Sequence, residues 1–153
     1  MILDVCCGSK MFWFQKKRED VVFMDIREEE YTICDKEVKV QPDIVGDFRA
    51  IPFLNNTFDM VVFDPPHLRW AGSKSIMRAQ YGQLSEDWEN DIAQGFKECF
   101  RVLRPGGFLV FKWCEEQIKL KQILSLTSEK PLFGNQRGKT FWLIFRKGDD
   151  SCS

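Results

Sequence analysis

The apolar residues of the chain fall in short runs, and the spacing inside each run predicts an element. Leu3-Asp4-Val5-Cys6-Cys7-Gly8 reads as a short buried strand running into a turn. Val21-Val22-Phe23-Met24-Asp25 is a continuous apolar run that stops on a carboxylate. Asp59 to Phe63 is a third run, ending at Asp64-Pro65-Pro66-His67, and Phe108 to Trp113 and Thr140 to Arg146 add two more. Such unbroken runs mark strands covered on both faces, as in parallel sheets. Asp43 to Asp47 reads as a shorter strand or turn. The period then changes to that of a helix: Trp88, Ile92, Phe96, Cys99, Phe100 and Leu103 share one face. Ser85 is the predicted cap, Glu86 and Asp87 supply an acidic first turn, and Arg104-Pro105-Gly106-Gly107 stops the helix. Weaker helical patterns cover Met11 to Lys17 and Glu115 to Leu126. Gly72 to Leu84 lacks a period and is expected to be a long, partly helical loop of the kind that serves a function. Phe133 to Gly138 reads as a turn region, with Pro131 to Phe133 as a candidate partner for the last strand.

Strands alternating with helices predict an α/β fold: a Rossmann-like, doubly wound, mostly parallel sheet in a three-layer αβα arrangement. The closeness of the last two strand candidates predicts a C-terminal antiparallel hairpin edge. A length of 153 residues predicts one domain, over residues 1–147, followed by a frayed tail at 148–153.

Composition narrows the class. The chain is 44% hydrophobic and 29% charged, as expected of a globular protein in water, and no apolar run approaches the ~20 residues of a membrane span. Met1-Ile2-Leu3-Asp4 carries no basic segment of the secretory type. The six cysteines form no Cys-x-x-Cys pair and the chain has a single histidine, so no metal is expected; reduced thiols and a cytoplasmic location are. The net charge of −1 is not the basic excess of a stand-alone nucleic-acid binder. The local basic stretches, Lys16-Lys17-Arg18 and Lys112 to Lys121, read as solvated faces. Phe12, Trp13 and Phe14 form either a core stripe or the wall of a binding site.

Four carboxylates, Asp4, Asp25, Asp47 and Asp64, end or follow strand candidates, and in open α/β sheets ligands bind outside the carboxyl ends of the strands. Gly8 permits a sharp turn and close ligand approach. Asp25 lies about 20 residues past that region, the spacing at which dinucleotide folds hold a ribose. A pyrophosphate would want Gly-x-Gly-x-x-Gly, whereas Cys6 and Met11 stand where further glycines would be. No Walker sequence occurs. A nucleoside without phosphates suits this turn better.

On these residues the chain resembles the class I S-adenosylmethionine-dependent methyltransferases. Leu3-Asp4-Val5-Cys6-Cys7-Gly8-Ser9 resembles the family's first motif, and Phe23-Met24-Asp25-Ile26 its ribose-binding acid. Asp47-Phe48 looks like the position beside the adenine, and Arg101 to Leu109 resembles the family's helix-to-strand junction. The resemblance implies S-adenosyl-L-methionine as cofactor, held by Asp4, Cys6, Gly8, Asp25, Ile26, Asp47 and Phe48. Asp64-Pro65-Pro66-His67 resembles the Asp/Asn-Pro-Pro-aromatic motif of amino-methyltransferases, and the whole set is similar to small stand-alone phage and prophage enzymes. It implies that Asp64 and the Pro65 carbonyl accept the two N–H bonds of an exocyclic amine, that Pro66 stiffens the loop and that His67 stacks on a flat acceptor, DNA or RNA. Other readings stay open: a small-molecule or protein side-chain acceptor, or a non-catalytic cofactor-binding subunit. Because the sequence begins at the first strand, the family's helix before it is not expected here. Part of the usual cofactor cover is then expected to be absent, or to come from Trp13, from the Gly72–Leu84 loop, or from a partner subunit or homodimer.

Overall fold

The computed structural model describes residues 1–149, apart from the side chain of Tyr81. A seven-stranded sheet runs β5 (Ile44–Val45), β2 (Val21–Asp25), β1 (Ile2–Asp4), β6 (Phe58–Phe63), β7 (Leu103–Cys114), β9 (Thr140–Arg146), β8 (Phe133–Arg137). The pairs from β5 to β7 are parallel; β9 is antiparallel to both β7 and β8. This is the doubly wound, mostly parallel sheet with an antiparallel edge that the alternation of runs implied. The order places β1 between β2 and β6, so the chain turns in opposite directions on either side of β1 and opens a crevice at the carboxyl ends of these strands.

The main core lies on one sheet face. Leu3, Met24, Val61, Phe63, Leu109, Phe111 and Phe145 meet Ile92, Phe96 and Cys99 of α2 (Trp88–Val102). Ser85 does not cap this helix. Its hydroxyl donates to the Asp91 carboxylate (2.7 Å), and Asp87 takes the cap position. β7 runs on to Cys114, and the Glu115 amide is spent on the Lys139 carbonyl (2.9 Å), so the helix expected over Glu115 to Leu126 shrinks to α3 (Leu120–Leu124). The expected turn region from Phe133 is the edge strand β8; Gly134 belongs there because a Cβ would strike the Leu143 side chain.

The second face carries no helix from Met11 to Lys17. Cys6 to Asp20 crosses it as an irregular strap, held by aromatic contacts: Trp13 edge-on to Phe23 (5.3 Å) and Phe12 on Trp142 (4.6 Å). Adjacent residues of a helix point about 100° apart, so Phe12 and Trp13 could not both reach the sheet from one. Between Asp25 and Asp43 the structure adds a hairpin that the apolar runs did not reveal, β3 (Glu29–Ile33) with β4 (Lys36–Val40). Its Cys34-Asp35 turn has positive φ at both residues, as a two-residue hairpin requires. Val38 and Val40 are its buried positions, packed with Ala79 of α1 (Ile76–Tyr81), the helical part of the long loop. The tail predicted from Gly148 is described only to Asp149, which pairs with Arg146 (3.0 Å); residues 150–153 lie outside the described residues. No helix among the described residues is long and apolar enough to cross a membrane.

Candidate active site

A cavity of about 240 Å³ opens at the carboxyl ends of β1, β2 and β5, lined by Val5, Cys6, Asp25, Ile26, Asp47, Phe48, Pro66 and the Gly82–Ser85 segment. Asp25 is its buried acid. One oxygen accepts the Gly8 amide (2.8 Å) and the other the Arg27 amide (3.0 Å). Gly8 reaches Asp25 with φ +49°, and a Cβ there would lie 2.6 Å from the Gln80 carbonyl. Arg27 touches Asp25 through Nε (3.4 Å) and donates to the Ala79 (2.8 Å) and Gln80 (3.2 Å) carbonyls, tying the end of α1 over the turn. Asp47 is engaged by Arg49, which donates to it with its amide (2.8 Å) and Nη2 (2.6 Å) and reaches Asp91 (3.2 Å). These bonds hold the Asp47 carboxyl below its usual range, against partial burial. Phe48 packs on Phe63 (5.3 Å) above Gly95, where a Cβ would come within 2.7 Å of both rings.

Across Cys6 lies a smaller, tighter pocket of about 10 Å³, lined by Asp4, Cys6, Gly8, Ser9, Met11, Phe12, Asp64 and Gln80. Asp4 is 2% exposed and accepts the Trp13 indole N–H (2.7 Å) and the Cys6 amide (3.3 Å). Burial pushes its pKa up to about 7; Trp13 opposes, Asp64 adds to the rise, the Cys6 amide opposes and Asp25 adds. Asp64, with a side chain 11% exposed, pairs with Lys112 Nζ (3.1 Å). Burial raises its carboxyl and the Lys112 charge pulls it back. The same ammonium lies 5.4 Å from the Trp142 ring centroid.

The structure thus brings Asp4, Cys6, Gly8, Asp25, Ile26, Asp47, Phe48, Asp64 and Pro66 to one edge of the sheet, while Pro65 is buried beside them. It does not bring His67 there. The imidazole is 7% exposed, edge-on to Trp113 (6.3 Å), and lines neither cavity. Burial holds its pKa below the usual value; Lys112 adds to that and Glu116 opposes it. Stacking of His67 on an acceptor, expected from the tetrapeptide, has no geometric basis in this arrangement, because the chain turns into the core after Pro66. Arg27, Arg49 and Lys112 were not anticipated. Lys112 had a signal: a lone cation inside an apolar strand needs a buried partner. Among the described residues, no group of three His, Cys, Asp or Glu side chains is arranged to hold a metal ion.

No protein-family model matches the chain. Two curated relatives do, each at 29% identity. Malonyl-[acyl-carrier protein] O-methyltransferase 1 of Coxiella burnetii matches over 68 residues, 44% of this chain. YqeM of Bacillus subtilis, whose name assigns it provisionally to the methyltransferases, matches over 115 residues, 72% of this chain. The chain spans 17% and 40% of the lengths of these two proteins. Among solved structures, a SAM-dependent methyltransferase from Methanosarcina mazei superposes with a TM-score of 0.59 at 16% identity, covering 97% of this chain and 92% of the other. Strand order, the crevice beside β1 and this superposition agree: the chain has the Rossmann-like fold of the S-adenosylmethionine-dependent methyltransferases.

Proposed function

We propose that the chain is an S-adenosylmethionine-dependent methyltransferase of the Asp-Pro-Pro-His type that methylates an exocyclic amine of a nucleic-acid base. The observation that carries the reading is the pair of adjoining cavities, one beside Asp25 and one beside Asp64, divided by Cys6. The residues fit the nucleoside part of the cofactor. The 240 Å³ cavity is somewhat smaller than the roughly 300 Å³ at which small-molecule pockets begin, so the remainder of the molecule must extend past Cys6 toward Asp4. When bound, the cofactor supplies an electrophilic methyl group on a sulfonium.

Each chain residue then has a definite task. Asp25 keeps a lone pair on Oδ2, beyond the Gly8 amide, for a ribose hydroxyl, while Oδ1 already takes the Arg27 amide and Nε. Phe48 and Ile26 give the adenine an apolar wall. Asp64 accepts an N–H of the incoming amine, whose own lone pair is delocalised into the ring, and so aims the nitrogen at the methyl. Holding the two groups in line does the work, since effective molarities from orientation reach about 10⁵ M or more. The amine's surplus proton passes to Asp4 or to water; Asp4, with a pKa of about 7, can take it near neutrality.

Lys112 favours a second reading. Its ammonium beside Asp64 would hold an acidic acceptor, and one relative is named for O-methylation of a malonyl group. Radiolabelled methyl transfer to DNA, RNA, protein and small carboxylic acids tests both readings. The amine reading expects turnover on a nucleic acid, abolished by Asp64→Ala and weakened by Lys112→Met, because Lys112 counters the burial that raises the Asp64 carboxyl. Turnover confined to acids, and lost with Lys112→Met, establishes the second. Calorimetry that finds no binding of S-adenosylmethionine ends both.

A further inference from the structure

The strap over the second sheet face carries a charge pattern that the methyl-transfer site does not use. An open groove of about 710 Å³ lies between the strap and the β3–β4 hairpin. Lys10, Lys16, Lys17, Arg18 and Lys39 line it, against two carboxylates, Glu37 and Asp43. That is a local cationic excess in a chain whose net charge is −1. Neither carboxylate is idle: Asp43 accepts the Phe23 amide (2.9 Å) and Glu37 pairs with Lys39 (3.1 Å). Arg18 is paired with Asp20 (2.7 Å), whereas Lys10, Lys16 and Lys17 form no ion pair among the described residues. Lys10 has a fixed place, 4.3 Å from the Phe23 ring centroid and bonded to the Lys16 carbonyl (3.3 Å). It pins the strap so that Lys16 and Lys17, both exposed, stand at the groove. Next to them Phe14 is fully exposed. Its neighbours Phe12 and Trp13 are anchored on the sheet, so burial does not account for the third aromatic.

Position links the groove to the reacting groups. It shares Ser9, Met11 and Gln80 with the Asp4–Asp64 pocket, which in turn shares Cys6 with the nucleoside cavity. The three spaces form a row: nucleoside cavity, carboxylates, cationic groove. A cationic groove with a neighbouring exposed ring is the combination that binds single strands, cations following the phosphates and the ring stacking on a base.

We propose that this groove is a docking track for single-stranded nucleic acid, with Lys16 and Lys17 on the phosphates and Phe14 stacked on an unpaired base, and that it leads a neighbouring base past Met11 and Gln80 to Asp64. The last clause rests on the amine-methylation reading; the docking itself does not. The pocket by Asp64 is too tight for a base as it stands, so entry requires its lining residues to move apart.

The test is fluorescence anisotropy of a labelled oligothymidylate of about 20 nucleotides with the full chain, between about 50 and 200 mM salt. Lys16→Ala combined with Lys17→Ala is expected to weaken binding about tenfold or more at low salt and to reduce the log–log salt slope by about 1.4, near 0.7 per lost contact. Phe14→Ala is expected to weaken binding about fivefold or more and leave the slope unchanged. All three residues are exposed, and unchanged melting temperatures confirm that the variants fold. The proposal is overturned if wild type does not bind, if the double variant binds equally well, if a duplex of the same length binds more tightly, or if polyglutamate competes as well as unlabelled oligonucleotide. A parallel titration with S-adenosylmethionine separates the claims: loss of cofactor binding in wild type sinks the methyltransferase reading and leaves the docking result standing.

Discussion

Asp4 is a carboxylic acid placed where an ion is costly, beneath the strap and near two other carboxylates. Its folded pKa of about 7 lies above the ordinary 3.8, so the folded chain binds the proton more tightly than the unfolded chain does. Stability from this group is therefore present at low pH and lost as pH rises from about 4 through 7. Comparing urea-unfolding free energies of wild type and Asp4→Asn across that range isolates the effect. Wild type should lose on the order of a few kcal/mol relative to the variant. Equal pH dependence would show that Asp4 titrates normally. Asn keeps an acceptor for the Trp13 indole, so the comparison removes the titration with little change in shape.

At the scale of elements, α2 does more than cover the sheet. Gly95 on its buried face lets Phe48 and Phe63 approach the helix backbone, and that approach sets the wall of the nucleoside cavity. An exposed helical Gly→Ala change would gain up to about 1 kcal/mol in propensity. Here the added methyl meets two rings at 2.7 Å, and overpacking of this kind costs about 1–3 kcal/mol. Gly95→Ala should therefore lower stability in denaturant titrations and weaken binding of S-adenosylhomocysteine by calorimetry; a stabilised variant with unchanged affinity would refute this account. The elements legible from the sequence were those with a single dominant period. Val21–Asp25 and Thr140–Arg146 were read with their observed bounds. The hairpin after Asp25 was missed because its alternation is carried by Val38 and Val40 among charged residues, and the strap was misread because its aromatic spacing mimics an apolar helix face. Within the site, the acids at strand ends were legible because topology alone puts them at one edge. His67 was not, since nothing in Asp-Pro-Pro-His reveals that the chain turns inward after Pro66, and Arg27 and Arg49 act through backbone carbonyls and neighbouring acids that only the folded chain brings close.

The molecule as a whole is unequal on its two sides. One side is a packed layer of helix on sheet; the other is an irregular strap fixed by Phe12, Trp13 and Lys10, with few backbone bonds of its own. The strap closes over the protonatable Asp4, and the Trp13 indole and the Cys6 amide are its direct contacts with that acid. Lifting it would return the carboxylate to water, where the ionised form is favoured. Transient detachment of Cys6 to Asp20 should then become more frequent as pH rises from about 4 to about 7 and level off above that, while the sheet and α2 stay closed. Hydrogen–deuterium exchange followed by mass spectrometry, corrected for the intrinsic base-catalysed rate, would register it as protection lost in strap peptides alone, and Asp4→Asn should abolish the trend. Approach to neutrality from the acid side would then loosen the same covering that shields the transfer pocket, making solvent access to that pocket a property set by one proton.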